Sequence, residues 1–148
     1  MTMQLNHFTI RSLDLPACER FYCGALGLAL GPRPPFPFPG LWFYAGDTAL
    51  YNNAVVHIIG IDRNDPEGLK QYLGERPEGS LLGTGSVDHL AFFSTDLAQT
   101  MARLQLHGVP FRERTVPVLE LHQVFLDDPN GVVIEINFPV SDRSVAAA

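Results

Sequence analysis

The chain has 148 residues, of which 46% are hydrophobic and 18% charged, so its size and apolar content are those of one folded domain. Its 10 Lys and Arg residues against 16 Asp and Glu give a net charge of −6, without the basic run that nucleic acid or an anionic membrane surface would require. Since no signal peptide and no membrane-spanning apolar run is recognisable either, we expect a soluble, cytoplasmic protein.

The chain opens with a strand-like segment that leads into a helical pattern. The stretch H-F-T-I-R-S-L-D-L begins at His7, and apolar residues then recur at helical spacing. Asp14 stands where an N-cap belongs, and Gly27 ends the pattern as a C-terminal glycine does. On this helix Cys18 and Cys23 lie on different faces, so we expect two unpaired thiols.

Two strands and an irregular segment follow the first helix. Strands are predicted over residues 41–45 and 54–59, where apolar residues cluster between turn residues. Residues 33–39 contain four prolines, which lack amide donors, so this segment is predicted as an edge or lip rather than a central strand. The polar, Gly-rich stretch 62–85 is predicted as a crossover with a short helix over 65–72, capped by Asp65.

A second copy of the opening pattern begins at His89. The stretch H-L-A-F-F-S-T-D-L shares the pattern H-x-x-x-x-S-x-D-L with the first copy, and Asp96 and Gly108 take the positions of Asp14 and Gly27. His107 lies beside this glycine, where an imidazolium complements the helix C-terminus. Strands are predicted over 109–112, 121–126 and 132–138, the last two joined by the turn D-P-N-G.

The repeat predicts an α+β fold of two tandem βαβββ modules, which form a curved, cup-shaped mixed β-sheet with the helices outside. We expect one domain, with module one at about 4–61, the crossover at about 62–85, module two at about 86–139 and a poorly ordered tail at 140–148.

Four side chains occupy matching places in the two modules. His7 and His89 lie on the first strands, and His57 and Glu135 lie on the last strands. If the modules pack as pseudo-twofold partners, three imidazoles and one carboxylate converge in a common cup. Such ligands suit Zn²⁺, Ni²⁺, Co²⁺, Fe²⁺ or Mn²⁺, so the sequence predicts a divalent metal site at these four residues.

The chain resembles the vicinal oxygen chelate superfamily, which includes glyoxalase I, methylmalonyl-CoA epimerase, extradiol dioxygenases and bleomycin-binding proteins. The resemblance covers residues 4 to 139 and is carried by the two H-x-x-x-x-S-x-D-L copies, V-V-H-I-I around His57, and Q-V-F-L-D-D-P-N-G-V-V-I-E-I-N ending beyond Glu135. It implies that His7, His57, His89 and Glu135 are the metal ligands, with His57 used only by some members. It also implies a homodimer, in which the site lies in one chain or is shared between two.

The resemblance implies a lyase, isomerase or epimerase acting on a small molecule chelated through vicinal oxygens. The metal would stabilise an enediolate, and Glu135 would also serve as the catalytic base. Arg11 matches an arginine that grips a substrate carboxylate in glyoxalase I, the alternative being an ion pair at the strand end. Ile61 stands where glyoxalases carry an Asn that contacts glutathione, which argues against a glutathione substrate.

Four further residues are candidates for substrate binding: Phe36, Trp42, Phe93 and His122. Aromatic residues such as Phe36 and Trp42 either wall an apolar pocket or complete the core. His122 precedes a predicted strand, and we expect it at the surface, with a proton-relay role near the cup as the alternative.

Two other functions remain open. An Fe²⁺ extradiol dioxygenase of this superfamily has a tyrosine on the strand before the metal glutamate, but no Tyr occurs after Tyr72, and no His lies in 62–85. A drug-binding protein of the bleomycin-resistance type is not an enzyme and generally lacks the ligand set that is present here.

Overall fold

The protein is represented by a computed structural model, which describes residues 5–85, 87 and 89–141. Over these residues the chain forms two four-stranded mixed sheets and three α-helices. The predicted α+β fold with two tandem βαβββ modules is therefore confirmed. None of the helices in the described part is long and apolar enough to cross a membrane.

The first module contains one helix and four strands. They are β1 (Phe8–Ser12), α1 (Leu15–Glu19), a π-helical continuation (Arg20–Ala25), β2 (Ala29–Gly31), β3 (Gly40–Tyr44) and β4 (Ala54–Gly60). The strand order is β1-β4-β3-β2, with β1 parallel to β4 and the other neighbours antiparallel. The Asp14 side chain accepts a hydrogen bond from the Ala17 amide at 2.9 Å, which confirms the predicted N-cap.

The second module repeats this arrangement. Its elements are β5 (His89–Phe93), α3 (Leu97–Leu106), β6 (Phe111–Val116), β7 (Leu121–Asp127) and β8 (Val133–Pro139), in the order β5-β8-β7-β6. The Asp96 carboxylate accepts from the Gln99 amide at 3.0 Å, so this N-cap is confirmed as well. His107 is the C-cap of α3, and Gly108 follows it with a φ of 61°, which a glycine adopts without steric cost.

The register of the two sheets shows how closely the modules match. Thr9 of β1 lies opposite His57 of β4, and Ala91 of β5 lies opposite Glu135 of β8. Both pairs join the first and the last strand of a module, which run parallel. His57 and Glu135 are therefore equivalent positions of one repeated unit, as the sequence predicts.

The crossover helix α2 (Glu67–Leu73) is shifted from its prediction, and its predicted cap is wrong. Pro66 is the N-cap residue, and no side chain caps the helix. The reason lies in the preceding turn, where the Asp62 carboxylate accepts from the backbone amides of Asn64 and Asp65. Asp62 thus closes the turn before the helix begins.

Two strands also differ from their predictions. The sequence does not predict β2, because three residues containing a glycine give no periodic signal. The sequence predicts a strand at 109–112, but β6 begins at Phe111, because the Val109 amide still bonds to the Leu104 carbonyl of α3 and Pro110 follows. Between β2 and β3 the proline-rich segment 33–39 forms no strand, which agrees with the prediction that it is not a central strand.

The described chain divides into two compact units. The first comprises residues 5–23 and 28–82, and the second comprises residues 24–27 together with the described residues from 83 onward. Each has its own buried apolar residues, for example Phe43 and Ile58 in the first and Val124 and Phe138 in the second. Of the predicted tail, residues 142–148 lie outside the described residues.

Candidate functional site

In the first unit, two histidines and a tryptophan form a stack. His57 lies in the middle of β4, and His7 immediately precedes β1 rather than lying in it. The His57 ring stacks on His7 and on Trp42, with centroid distances of 3.9 Å in both cases. Because two rings cannot occupy one face at that distance, His57 lies between the other two.

The His57 ring fits the role of a metal ligand. Its Nε2 atom is buried and has no hydrogen-bond partner among the described residues. The pKa of His57 is lowered to about 4, because burial disfavours the charged ring and His7 adds repulsion, while the backbone of Ala54 opposes the shift. A neutral imidazole with an unused nitrogen is the form in which histidine binds a cation.

In the second unit, Glu135 lies beside His89. Glu135 is 7% exposed, and its Oε2 atom is 3.3 Å from His89 Nε2. Its Oε1 atom accepts hydrogen bonds from Gln123 Nε2 at 2.8 Å and from Asn137 Nδ2 at 2.7 Å. One carboxylate oxygen is therefore fixed by two amides, and the other faces an imidazole.

Gln123 and Asn137 were not predicted as site residues. Gln123 Nε2 also donates to Asn137 Oδ1 at 2.8 Å, so the two amides and the carboxylate form one network. Strand alternation places Asn137 on the same face as Glu135, and this signal is readable in the sequence. The register of β7 against β8, which places Gln123 opposite Asn137, cannot be read from the sequence.

Three other predicted residues lie on the same strand faces as the candidate ligands. Arg11 lies on the same face of β1 as Thr9, and Thr9 pairs with His57 of β4. Within the described chain, Arg11 has no ion-pair partner. Phe93 is 65% exposed on the face of β5 that carries His89. Trp42 is half-buried against His57.

Phe36 contributes to the core of the first unit. It packs with the buried residues Phe38, Ile59 and Leu69, and its ring stacks on Phe38 at 5.3 Å. Phe36 therefore completes the core, which is one of the two roles that the sequence leaves open for the aromatic residues.

The predicted surface position of His122 is wrong. The residue is 2% exposed, and its Nε2 atom is 2.7 Å from the Glu113 carboxylate. Strand alternation places it on the face of β7 opposite to Gln123 and therefore away from Glu135. Val124, Phe125 and Leu126 are also buried, so both faces of β7 are covered. The polar residues at the start of the strand do not indicate this burial.

The structure thus describes the four predicted ligands as two pairs, His7 with His57 and His89 with Glu135, one pair in each unit. Over the described residues, no group of three or more His, Cys, Asp or Glu side chains is placed so as to hold a metal ion. A cavity of about 290 Å³ lies in the first unit beside α2, lined by Ile61, Leu69 and Leu73 among others, and none of the predicted site residues lines it.

Two tandem βαβββ modules, with His57 and Glu135 at equivalent positions, define the class of α+β protein to which the chain belongs. The chain belongs to the Glyoxalase/Bleomycin resistance protein/Dioxygenase superfamily, whose family model matches residues 4–136. The resemblance stated from the sequence is therefore confirmed. A search of curated proteins finds none that matches the chain.

Solved structures share this fold at low sequence identity. A glyoxalase family protein from Bacillus anthracis superposes with a TM-score of 0.66 at 18% identity, covering 94% of this chain and 97% of the other. Lactoylglutathione lyase from Agrobacterium tumefaciens has a TM-score of 0.60 at 17% identity, with 93% and 94% covered. A glyoxalase/dioxygenase from Nostoc punctiforme has a TM-score of 0.63 at 17% identity, with 92% and 90% covered.

Proposed function

We propose that this chain is a metal-dependent lyase, isomerase or epimerase that acts on a small molecule through two neighbouring oxygens. The observation that carries the proposal is the register match between His57 and Glu135, each of which lies beside a second histidine in its module. The superfamily and the lactoylglutathione lyase with the same fold support this class of reaction.

His7, His57, His89 and Glu135 would hold one divalent cation. Three imidazole nitrogens and a carboxylate suit Zn²⁺, Ni²⁺, Co²⁺, Fe²⁺ or Mn²⁺. The Nε2 atom of His57, to which no described residue hydrogen-bonds, fits such a role. When bound, the cation supplies Lewis-acid stabilisation of negative charge on the substrate oxygens.

Glu135 is the residue that moves the proton. Its carboxylate accepts the proton of the carbon adjacent to the substrate oxygens, so that a C–H bond breaks and an O–H bond forms while the electron pair stays on the substrate. The same carboxyl then returns the proton to a neighbouring carbon, on the face of the substrate that it already contacts. Because Gln123 and Asn137 hold Oε1, Glu135 needs no reorientation between the two transfers.

The experiment that tests this role follows exchange of carbon-bound hydrogen. The protein loaded with each cation in turn is incubated in D₂O with a panel of 2-hydroxy ketones, 2-hydroxy acids and 2-oxo aldehydes, and loss of the C–H signal is followed by NMR. We expect exchange with at least one compound and a loss of at least about 100-fold in Glu135→Gln. Glu113→Gln is the matched control, since Glu113 pairs with His122 on the other face and should leave exchange unchanged.

Other outcomes would replace the proposal. Absence of exchange across the panel, combined with oxygen uptake on catechols in the presence of Fe²⁺, would assign a ring-cleavage dioxygenase instead. Absence of both, with tight binding of a cationic drug such as bleomycin, would assign a sequestering protein.

We also propose that the protein is a homodimer, with the metal site inside one chain or shared between two copies. Mixing the His57→Ala and Glu135→Gln variants distinguishes the two arrangements. In a shared site, the mixed dimer contains one intact ligand set and recovers cation binding. If the site is confined to one chain, each ligand set contains one of the two substitutions, so mixing does not restore cation binding.

A further inference from the structure

Two arginines lie on the face of the second sheet that carries Glu135. Arg112 of β6 pairs with Phe125 of β7, which in turn pairs with Glu135 of β8. Arg114 of β6 pairs with Gln123 of β7, which in turn pairs with Asn137 of β8. Since paired residues of neighbouring strands share a face, both guanidinium groups project on the side of the sheet where Glu135 lies.

Both guanidinium groups stack over the same aromatic ring. The Arg112 Cζ atom is 4.7 Å from the centroid of Phe125, and the Arg114 Cζ atom is 5.4 Å from it. Arg114 Nε also donates to Gln123 Oε1 at 2.6 Å, which ties this arginine to the amide that holds Glu135. The ring and the amide therefore fix two flexible side chains in one place.

Among the described residues, no carboxylate neutralises either of the two positive charges. In the part of the chain that the structure describes, neither arginine has an ion-pair partner, and both are exposed. Glu113 lies between them in sequence, but its carboxylate is on the opposite face with His122. Glu135 is engaged by two amides and by His89. On a chain with a net charge of −6, this pair is a local centre of positive charge.

We propose that Arg112 and Arg114 form an anion-binding subsite that receives a carboxylate or phosphate group of the substrate. Arg112 lies two strands from Glu135, about 10 Å at the usual strand spacing, and the long arginine side chain shortens that gap. A substrate with two neighbouring oxygens at one end and an anionic group a short carbon chain away spans the distance. The inference rests on the proposed function for the reacting end of the substrate only.

The anion subsite is tested first in metal-free protein, with inorganic phosphate as the probe. The Nε–H signals of Arg112 and Arg114 are followed by NMR during a phosphate titration. We expect saturable shifts at both, and at least a fivefold loss of affinity in Arg112→Gln/Arg114→Gln, because charge-assisted hydrogen bonds are lost. Arg63→Gln/Arg76→Gln removes the same charge from the crossover and should retain the affinity. An equal loss in both double variants would mean non-specific attraction and would overturn the subsite.

A second titration separates this subsite from the metal proposal. Metal-loaded protein is titrated by calorimetry with acetohydroxamate and with succinic monohydroxamate, which chelate cations alike but differ by a carboxylate. We expect at least fivefold tighter binding of the carboxylate-bearing compound, and no preference in Arg112→Gln/Arg114→Gln. Equal binding of both compounds to the unmodified protein would overturn the subsite and leave the metal proposal intact. Binding of phosphate without either hydroxamate would support the subsite and contradict the metal proposal.

Discussion

The carboxylate of Glu135 owes its fixed position to two amide side chains. Gln123 is 5% exposed and bonds to Glu135, to Asn137 and to Arg114. A buried amide with three partners can hold a carboxylate in one orientation, which a water-exposed neighbour cannot. Gln123 is therefore a positioning residue for Glu135.

Replacement of this amide should weaken both the fold and the site. In Gln123→Leu, the buried Glu135 and the half-buried Asn137 each lose a donor, which costs about 1–3 kcal/mol of unfolding free energy. Cation affinity should fall about tenfold, as is usual when a residue that orients a metal ligand is lost. Urea denaturation and calorimetric metal titration measure the two effects. Gln105→Leu, on the exposed side of α3, is the control, and equal behaviour of both variants would contradict the positioning role.

The sequence indicates some of these residues and not others. His7, His57, His89 and Glu135 stand out because the repeat places them at matching positions, and the structure describes them in two pairs. The roles of Gln123, Arg112 and Arg114 depend on which residue of one strand pairs with which residue of the next strand. Local pattern does not fix that register, so their roles emerge only from the folded sheet.

Helix α2 contacts the proline-rich segment through a glycine. A Cβ atom at Gly68 would overlap the backbone carbonyl of Pro37, which no side-chain movement can relieve. Leu69, the next residue, is buried with Phe38 and Ile59 in the same cluster. The close approach of helix and segment therefore requires glycine at this position.

Gly68→Ala should lower the free energy of unfolding by about 1–3 kcal/mol, because the helix must move away from Pro37. Gly79→Ala is a matched control, since nothing lies within 4 Å of a Cβ there and its φ is not positive. Its stability should change by no more than about 0.5 kcal/mol. Urea midpoints of the two variants test the contact, and a Gly68→Ala midpoint equal to that of the unmodified protein would rule it out.

The repeated elements were predictable where their signal is local. Ser-x-Asp-Leu at the start of both helices encodes the N-caps, and the D-P-N-G turn encodes the β7–β8 hairpin. The start of α2 was predicted less well, because Asp62 and Asp65 are equally suited to bond to nearby amides. Which of them does so depends on the path of the whole turn.

The proposed cation site depends on the duplication of the module. Each module forms a four-stranded sheet of the same order, and each carries one pair of candidate ligands at the equivalent register position. The proposal requires the pair of one module and the pair of the other to serve a single cation. The repeat in the sequence indicates the equivalence of the pairs, but assembly of the modules or of two chains depends on contacts that no local pattern encodes.

Calorimetric titration of Zn²⁺, Ni²⁺, Co²⁺, Mn²⁺ and anaerobic Fe²⁺ into the unmodified protein, His57→Ala, Glu135→Gln and the double variant tests this requirement most directly. If the two pairs serve one cation, the unmodified protein binds one equivalent per chain, and each single variant loses affinity for it. The effects in the double variant are then strongly non-additive, because both residues act on one binding event. Unimpaired binding in either single variant, or no binding of any cation to the unmodified protein, would contradict a single cation site served by both pairs.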